Sequence, residues 1–374
     1  MAELISERCV LDGVPKVEFY SGGPRCPEDV PFPSCLRACL EFLGDPVGCK
    51  LIDAHASTWR LDCGYAFLMA SSGCAFRLSW KPGWEQDNVD IRYISDDPEA
   101  PFRHAFESVG YAYTILRKDI GESAMRDAIV NSLRRSRRPV IAFGVIPPPE
   151  SCIVTGYDEG GEVLIGWNYF QSLAPFNAGV EFEPTGEFRK RDWFADTEGI
   201  ILIGEKGPVP DARKAFLESL RWALQVCRTP FVEAWGRHNG FAAYSAWAAH
   251  LLRDEDFATD DLDRLRILFE VHDDAVGTVA EGRWYASEYL KMVAQKEPAM
   301  ASELLDAAEC YVAEHDLMWE AWGQVGGNGR DDDKVRKLKQ PHVRRAVASI
   351  VERARQQDIE AANHLQKALA IATG

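Results

Sequence analysis

The sequence lacks any run of about 20 apolar residues, the length that a helix needs to cross a bilayer. Its first residues, Met1 to Arg8, lack the positive segment followed by an apolar segment that marks a secretory signal peptide. We therefore expect a cytoplasmic protein with no membrane partner. Because thiols stay reduced in that compartment, we expect most of the 10 cysteines to be small core residues.

Zinc-ribbon spacing is also missing. The sequence contains no C-x-x-C pair, and the nearest spacing is Cys35-x-x-x-Cys39. The run His272-Asp273-Asp274 is a poor metal site, because three successive residues on a helix point in different directions. We therefore expect no metal and no cofactor.

Positive charge is scarce relative to negative charge. Lys and Arg number 42 against 58 Asp and Glu, which gives a net charge of −16. An acidic surface repels phosphate backbones, so we expect no nucleic-acid partner. The basic run Arg134-Arg135-Ser136-Arg137-Arg138 goes against this average. Such a run is typical of the solvated C-terminal turn of a helix.

The remaining composition is that of a globular protein with room for two domains. Hydrophobic residues make up 46% of the 374 residues, and 11 Trp predict large cores or stacking surfaces. The Gly- and Pro-rich segment 207–211 indicates a boundary. We predict an α+β domain over 1–207, with an antiparallel sheet, and an all-α helical domain over 208–374, in which Asp211 caps the first helix.

The first domain shows an ordered set of helix and strand patterns. Ser34 is a good N-cap for a helix over Cys35–Leu43, which Gly44 ends. A helix over 122–137 is followed by apolar strands over 140–146, 151–157, 162–167 and 199–204. The turn Asp158-Glu159-Gly160-Gly161 predicts a hairpin between the second and third of these strands.

This order, with a strand that ends in Thr155-Gly156-Tyr157-Asp158, resembles the second half of the papain-like domain in bacteriocin-processing double-glycine peptidases. It is also similar to the N-terminal domain of the butirosin-type acyltransferases, which a helical region follows as well. The resemblance covers residues 14–204. It implies a papain-like fold and a thiol-dependent peptidase-like or acyltransferase-like activity.

The resemblance implies a set of catalytic residues that departs from the family pattern. Cys35 matches the nucleophile, and a helix N-terminus would lower the pKa of its thiol and supply N–H groups to an oxyanion. The position of the family's His falls on Glu150, whose carboxylate is a weak base at neutral pH. The Asp/Asn position falls near Asn168, and Asp29 lies about where the family's oxyanion Gln is expected.

Other residues are candidates for substrate binding or for a replacement base. Trp167 directly precedes Asn168, while His55 and His104 are histidines of the same domain. Arg237 and His238 lie in a Gly-bounded turn before an aromatic helix. They line a cleft between the domains in one interpretation and begin an ordinary helix in the other. The cluster Glu281–Tyr285 favours a salt-bridged aromatic packing seam.

Three functions remain open from the sequence. The first is a thiol-dependent enzyme that uses Cys35 with a degenerate catalytic set. The second is a catalytically silent papain-like module that binds a small molecule or peptide in the cleft between the domains. The third is an interaction protein that forms a homo-oligomer through its helical half.

Overall fold

The structure, a computed structural model, describes residues 7–20, 22, 25–45, 47, 52–53, 60–208 and 210–373. No helix in these ranges is long and apolar enough to span a membrane. The helices, in chain order, are α1 (Pro31–Phe42), α2 (Cys63–Ser71), α3 (Ala100–Val109), α4 (Glu122–Asn131), α5 (Trp193–Asp196), α6 (Ala212–Arg228), α7 (Phe241–Leu251), α8 (Leu262–Lys296), α9 (Ala301–Val325), α10 (Asp332–Leu338) and α11 (Pro341–Thr373).

The strands complete a mixed α+β architecture. In chain order they are β1 (Cys9–Val10), β2 (Ile52–Asp53), β3 (Arg60–Leu61), β4 (Ser79–Trp80), β5 (Tyr111–Arg117), β6 (Val140–Phe143), β7 (Ser151–Asp158), β8 (Val163–Trp167), β9 (Val180–Phe182), β10 (Phe188–Arg191), β11 (Gly199–Lys206), β12 (Phe231–Val232) and β13 (Arg237–Asn239).

The chain divides into two compact units that differ from the predicted domains. The first unit consists of residues 1–68 and 106–210, and the second of residues 69–105 and 211–374. The sequence predicts one boundary, at 207/208. Residues 69–105 instead belong with the C-terminal helices, because β4 pairs with β13 and Arg283 of α8 donates to the carbonyl oxygen of Ala75.

An antiparallel sheet forms the centre of the first unit. The strand order is β5-β11-β6-β7-β8-β10-β9, and β1 pairs with β7. Strands β6, β7 and β8 are buried along almost their whole length, which explains why their sequences read as continuous apolar runs. The antiparallel sheet is confirmed, and it includes β9 and β10, which the polar sequence Val180–Arg191 did not reveal.

The beginning of α1 corrects the sequence analysis. The helix begins at Pro31 with Val30 at the N-cap, so Ser34 is the fourth helical residue and Cys35 the fifth. The N-cap assignment of Ser34 is therefore wrong. Proline is favourable in the first turn, because its fixed φ suits a helix and the N–H that it lacks has no intrahelical partner there.

The second unit is helical but carries a small sheet, which corrects the expectation of an all-α domain. Strands β12, β13 and β4 pair in that order, since the turn before α7 extends into a hairpin. Asp211 caps α6 by accepting from the Lys214 N–H at 3.1 Å, as predicted. Many of the tryptophans serve the core, where Trp80 stacks on Trp247 with a centroid distance of 6.0 Å.

Candidate functional site

The first unit brings together three residues that the sequence analysis placed in one catalytic set. Cys35 comes from α1, Glu150 precedes β7, and Asn168 follows β8. Glu150 and Cys152 both raise the pKa of Cys35, and Asn168 lies close enough to Cys152 to lower the pKa of that thiol. We call Cys35, Glu150, Cys152, Asn168 and Tyr169 the Cys35 cluster. Cys152 and Tyr169 carry no signal of their own in the sequence beyond their adjacency to the predicted residues.

The Cys35 thiol is sealed from solvent, with an exposed fraction of 0%. Burial raises the pKa of this thiol well above its ordinary value. The neighbouring Cys152 and Cys39 raise the pKa further, and so does the Glu150 carboxylate, whereas Arg37 lowers it. Since the thiolate is the nucleophilic form, this environment disfavours nucleophilic attack by Cys35.

The N-terminus of α1 is poorly equipped to stabilise an oxyanion. Pro31 and Pro33 occupy two of the first three helical positions and have no N–H group. The Tyr169 hydroxyl fills the space beside Cys35: it donates to the carbonyl oxygen of Glu28 at 2.7 Å and is hydrogen-bonded by Ser34. The helix N-terminus therefore contributes little to lowering the pKa of the Cys35 thiol, and it offers few N–H groups to an oxyanion.

Asn168 has a structural task that uses its side-chain amide. Its Nδ2 group donates at 3.4 Å to the carbonyl oxygens of both Gly144 and Ile146, and its Oδ1 accepts from the Phe170 N–H at 2.7 Å. The two carbonyls flank Val145, a buried β-branched residue with φ of 68°. A β-branched residue rarely adopts this left-handed backbone conformation. Asn168 thus holds a strained connector between β6 and β7.

Gly144 makes this connector possible. Its φ is 94°, and a Cβ atom at this position would collide with the carbonyl oxygen of Asp196. The same Gly144 carbonyl oxygen accepts from the Cys152 sulfur at 3.3 Å. The connector is thereby held against β7 from two directions.

Asp29 and Trp167, the other predicted residues of the first unit, have partly defined environments. Burial raises the pKa of Asp29 to about 6. The Tyr20 N–H donates a hydrogen bond to Asp29 at 2.7 Å, and this bond lowers the pKa in part. As a carboxylate above that pH, Asp29 would repel an oxyanion. Trp167 is buried, the Lys16 ammonium lies 5.7 Å from its ring centroid, and its indole N–H has no hydrogen-bond partner among the described residues.

Arg237 and His238 lie on β13 of the second unit. The Arg237 guanidinium is buried, pairs with Asp87 at 2.6 Å and lies 4.1 Å from the ring centroid of Tyr93. Its charge is therefore already neutralised within the unit. His238 packs edge-on against Phe231 at a centroid distance of 5.4 Å. These contacts are structural, and the substrate-binding role of both residues stays a prediction.

The structure describes one of the two histidines considered as replacement bases. His104 belongs to the second unit, where it stacks on Trp222 with a centroid distance of 4.4 Å. His55 lies outside the described residues.

The cysteines follow the expectation of reduced thiols with one departure. Those with free thiols are Cys9, Cys26, Cys35, Cys39, Cys74, Cys152, Cys227 and Cys310. Cys63, at the start of α2, is disulfide-bonded. Most of the described cysteines are therefore free, as expected, and Cys63 is the exception among them.

A second buried polar centre, which we call the Arg283 network, lies among the helices of the second unit. Arg283 donates at 2.9 Å to Asp358 and at 3.2 Å to Glu314, and all three side chains are 0% exposed. The Tyr244 hydroxyl accepts from Arg283 at 2.8 Å and donates to Glu314. Cys227 donates its S–H to Asp358 at 3.7 Å. The cluster Glu281–Tyr285 thus supplies a salt-bridged packing seam, as the sequence favoured.

An open groove of about 800 Å³ lies on the second unit between α6 and α11. Arg221, Arg228, Leu224 and Leu369 are among the side chains that line it. None of the predicted site residues contributes to it.

Comparison with known proteins gives neither a matching family model nor a matching curated protein. The papain-like assignment and the roles of the site residues therefore stay predictions.

Proposed function

We propose that the first unit is a papain-like module that has lost thiol chemistry and binds a small molecule or peptide. One observation supports this most strongly: the Cys35 sulfur is fully buried, and the Glu150 carboxylate acts on it, the residue to which the resemblance assigns the position of the family's histidine. A carboxylate beside a thiol disfavours the thiolate, whereas an imidazolium would favour it.

Ligand binding is supported by groups at the edge of the Cys35 cluster. The Trp167 indole N–H has no partner among the residues that the structure describes, and a buried donor of this kind gains from an acceptor on a ligand. Asp29 supplies a carboxyl group that changes its charge near pH 6. An amide- or amine-bearing ligand offers the complementary groups.

A second candidate function is the thiol-dependent enzyme. The observation that favours it is that Glu150 acts on the Cys35 sulfur and Asn168 on the neighbouring Cys152 sulfur, although these residues lie far apart in the sequence. This function requires that the bound substrate exposes and ionises the thiol.

Alkylation separates the two functions. Folded protein is treated with iodoacetamide at about pH 6 and about pH 8, digested, and analysed by mass spectrometry, with the half-buried Cys9 and Cys310 as internal references. We expect Cys35 to stay unmodified until the chain is unfolded. Labelling of Cys35 ahead of Cys9 at the lower pH would overturn the proposal and favour the enzyme.

An activity assay gives the complementary test. An aryl thioester and a peptide amide ending in Gly-Gly serve as acyl-transfer and peptidase probes. We expect equal rates for the unmodified chain and for Cys35→Ala. A rate that is lost in Cys35→Ala but kept in Cys39→Ala, a matched buried thiol one helical turn away, would support catalysis.

A further inference from the structure

Three metal-ligating side chains converge on the surface of the second unit. Glu303 and Asp306 are three residues apart on α9 and share a face of that helix. His364 on α11 packs against the same face. One ligand atom from each of these residues can be chosen so that all three lie within 4.8 Å of one another.

The distances suit a common ion. The His364 Nδ1 atom lies 2.7 Å from a carboxylate oxygen of Glu303 and 3.8 Å from one of Asp306. Two ligands of a tetrahedral zinc ion, each about 2.1 Å from the metal, are about 3.4 Å apart. Small side-chain rotations would therefore bring the three atoms to ligand distances.

We propose that Glu303, Asp306 and His364 bind a divalent transition-metal ion, with zinc as the best match. One imidazole and two carboxylates are borderline-to-hard donors, which suit zinc better than calcium or magnesium, since those ions prefer oxygen alone. Three protein ligands leave a fourth position for water, as in open zinc sites.

The surroundings favour a cation. Glu360 and Glu309 act, with Asp306, on the half-buried Cys310, so negative charge beyond the three ligands lies beside the site. The competing cation is Lys367, whose ammonium lies 3.7 Å from Glu303. Its side chain is 59% exposed, so it can turn toward solvent at little cost when a metal ion takes its place.

The site escaped the sequence analysis because its ligands come from two helices about 60 residues apart and form no local motif. The local candidate, His272-Asp273-Asp274, is arranged differently. Arg330 pairs with Asp273 at 2.9 Å and also with Asp274.

Calorimetric titration of the full chain with Zn²⁺, supported by the visible absorption of Co²⁺, tests the proposal. We expect saturable binding of one ion. His364→Ala and Glu303→Gln should each weaken it at least 10- to 100-fold, since even changes outside the ligand shell cost that much. His342→Ala, an exposed histidine on the same helix, is the matched control and should leave binding unchanged.

Cys310→Ser separates this site from binding to a thiol. Binding that persists in Cys310→Ser and is lost in His364→Ala supports the proposal. Binding that follows Cys310 instead, an absence of saturable binding, or equal binding in His364→Ala overturns it. Circular dichroism of each variant shows whether the fold is retained.

Discussion

The two units each bury a polar centre, but they do so by opposite means. The Cys35 cluster buries thiols, an amide and a phenol beside the half-buried Glu150, and the hydrogen bonds of Asn168 and Tyr169 go largely to backbone carbonyls. The Arg283 network instead buries a guanidinium with two carboxyl groups and pairs them with one another. Burial keeps a thiol neutral at small cost, whereas a buried charge is stable only beside an opposite charge.

The comparison shows that burial has a different consequence for a thiol than for a charged side chain. In the first unit burial raises the pKa of the Cys35 thiol and so disfavours the nucleophilic thiolate. In the second unit burial explains why Arg283 is structural, since the groups to which it donates lie inside the core. The predictions below test this contrast.

The largest effect is expected from Arg283→Met. The change leaves Glu314 and Asp358 buried without their cation, and breaking a buried pair in this way costs about 3–5 kcal/mol of unfolding free energy. Urea unfolding measures it. Arg353→Met, which removes an exposed pair with Glu320, is the matched control and should change stability little.

A compensating variant locates the origin of that cost. Arg283→Met combined with Glu314→Leu and Asp358→Leu removes all three charges, and replacing a whole buried ion cluster by apolar groups is often neutral. We expect most of the lost stability to return. If the triple variant is as unstable as Arg283→Met alone, lost packing and not orphaned charge is the cause.

A smaller loss is expected from Asn168→Ala. The variant leaves the Gly144 and Ile146 carbonyl oxygens without the amide donor, at a cost of about 1–3 kcal/mol. Asn177→Ala, at an exposed position, is the control. A cost for Asn168→Ala no larger than that of the control would show that Asn168 does not hold the strained connector, and would free its amide for another role.

The fold was largely accessible from the sequence, while the site environment was not. The apolar runs over 140–146 and 151–157 predict buried strands because both faces of the central sheet are covered. The polar strands β9 and β10 have no such signal. The small sheet of the second unit was missed because β4 and β13 are about 160 residues apart in the chain.

Residue identity predicted three members of the Cys35 cluster, Cys35, Glu150 and Asn168, but not their environment. The sequence places Cys35 near a helix N-terminus and so predicts a lowered pKa, whereas the structure places it a full turn inside, where burial raises the pKa. Depth of burial is set by side chains from other elements, such as Tyr169. A local sequence pattern carries no record of them.

The pH dependence of stability should also distinguish the two centres. Burial raises the pKa of Glu314 well above its ordinary range, although Arg283 opposes the shift, and the pKa of Asp358 is raised as well. The folded chain therefore keeps a proton that the unfolded chain releases above its pKa of 4.5. Stability is full below that pH and falls by about 1.4 kcal/mol per pH unit as pH rises toward the folded pKa.

Urea unfolding at about pH 5 and about pH 7 measures this slope, with Glu314→Gln as the test variant. A glutamine cannot release a proton, so the difference in stability between the two chains should shrink or reverse as pH rises. Glu320 is an exposed carboxyl on the same helix, and the stability of Glu320→Gln should change with pH as much as that of the unmodified chain does. If the stability of Glu314→Gln also changes with pH as much as that of the unmodified chain, Glu314 does not hold a proton in the folded chain.

The smallest effect on stability is expected at Cys35. Which of two variants, Cys35→Ala or Cys35→Ser, is the more stable shows whether the position is apolar. Cys35→Ala removes one buried sulfur at a cost of about 1 kcal/mol. Cys35→Ser places a hydroxyl in the same position, where a donor without a partner costs about 1–3 kcal/mol. An inert core thiol therefore predicts that the alanine variant is the more stable of the two in urea unfolding. If Cys35→Ser is as stable as the unmodified chain, the position is polar or contains water. The contrast between the two buried centres would then fail at Cys35, the residue on which the proposed loss of catalysis depends.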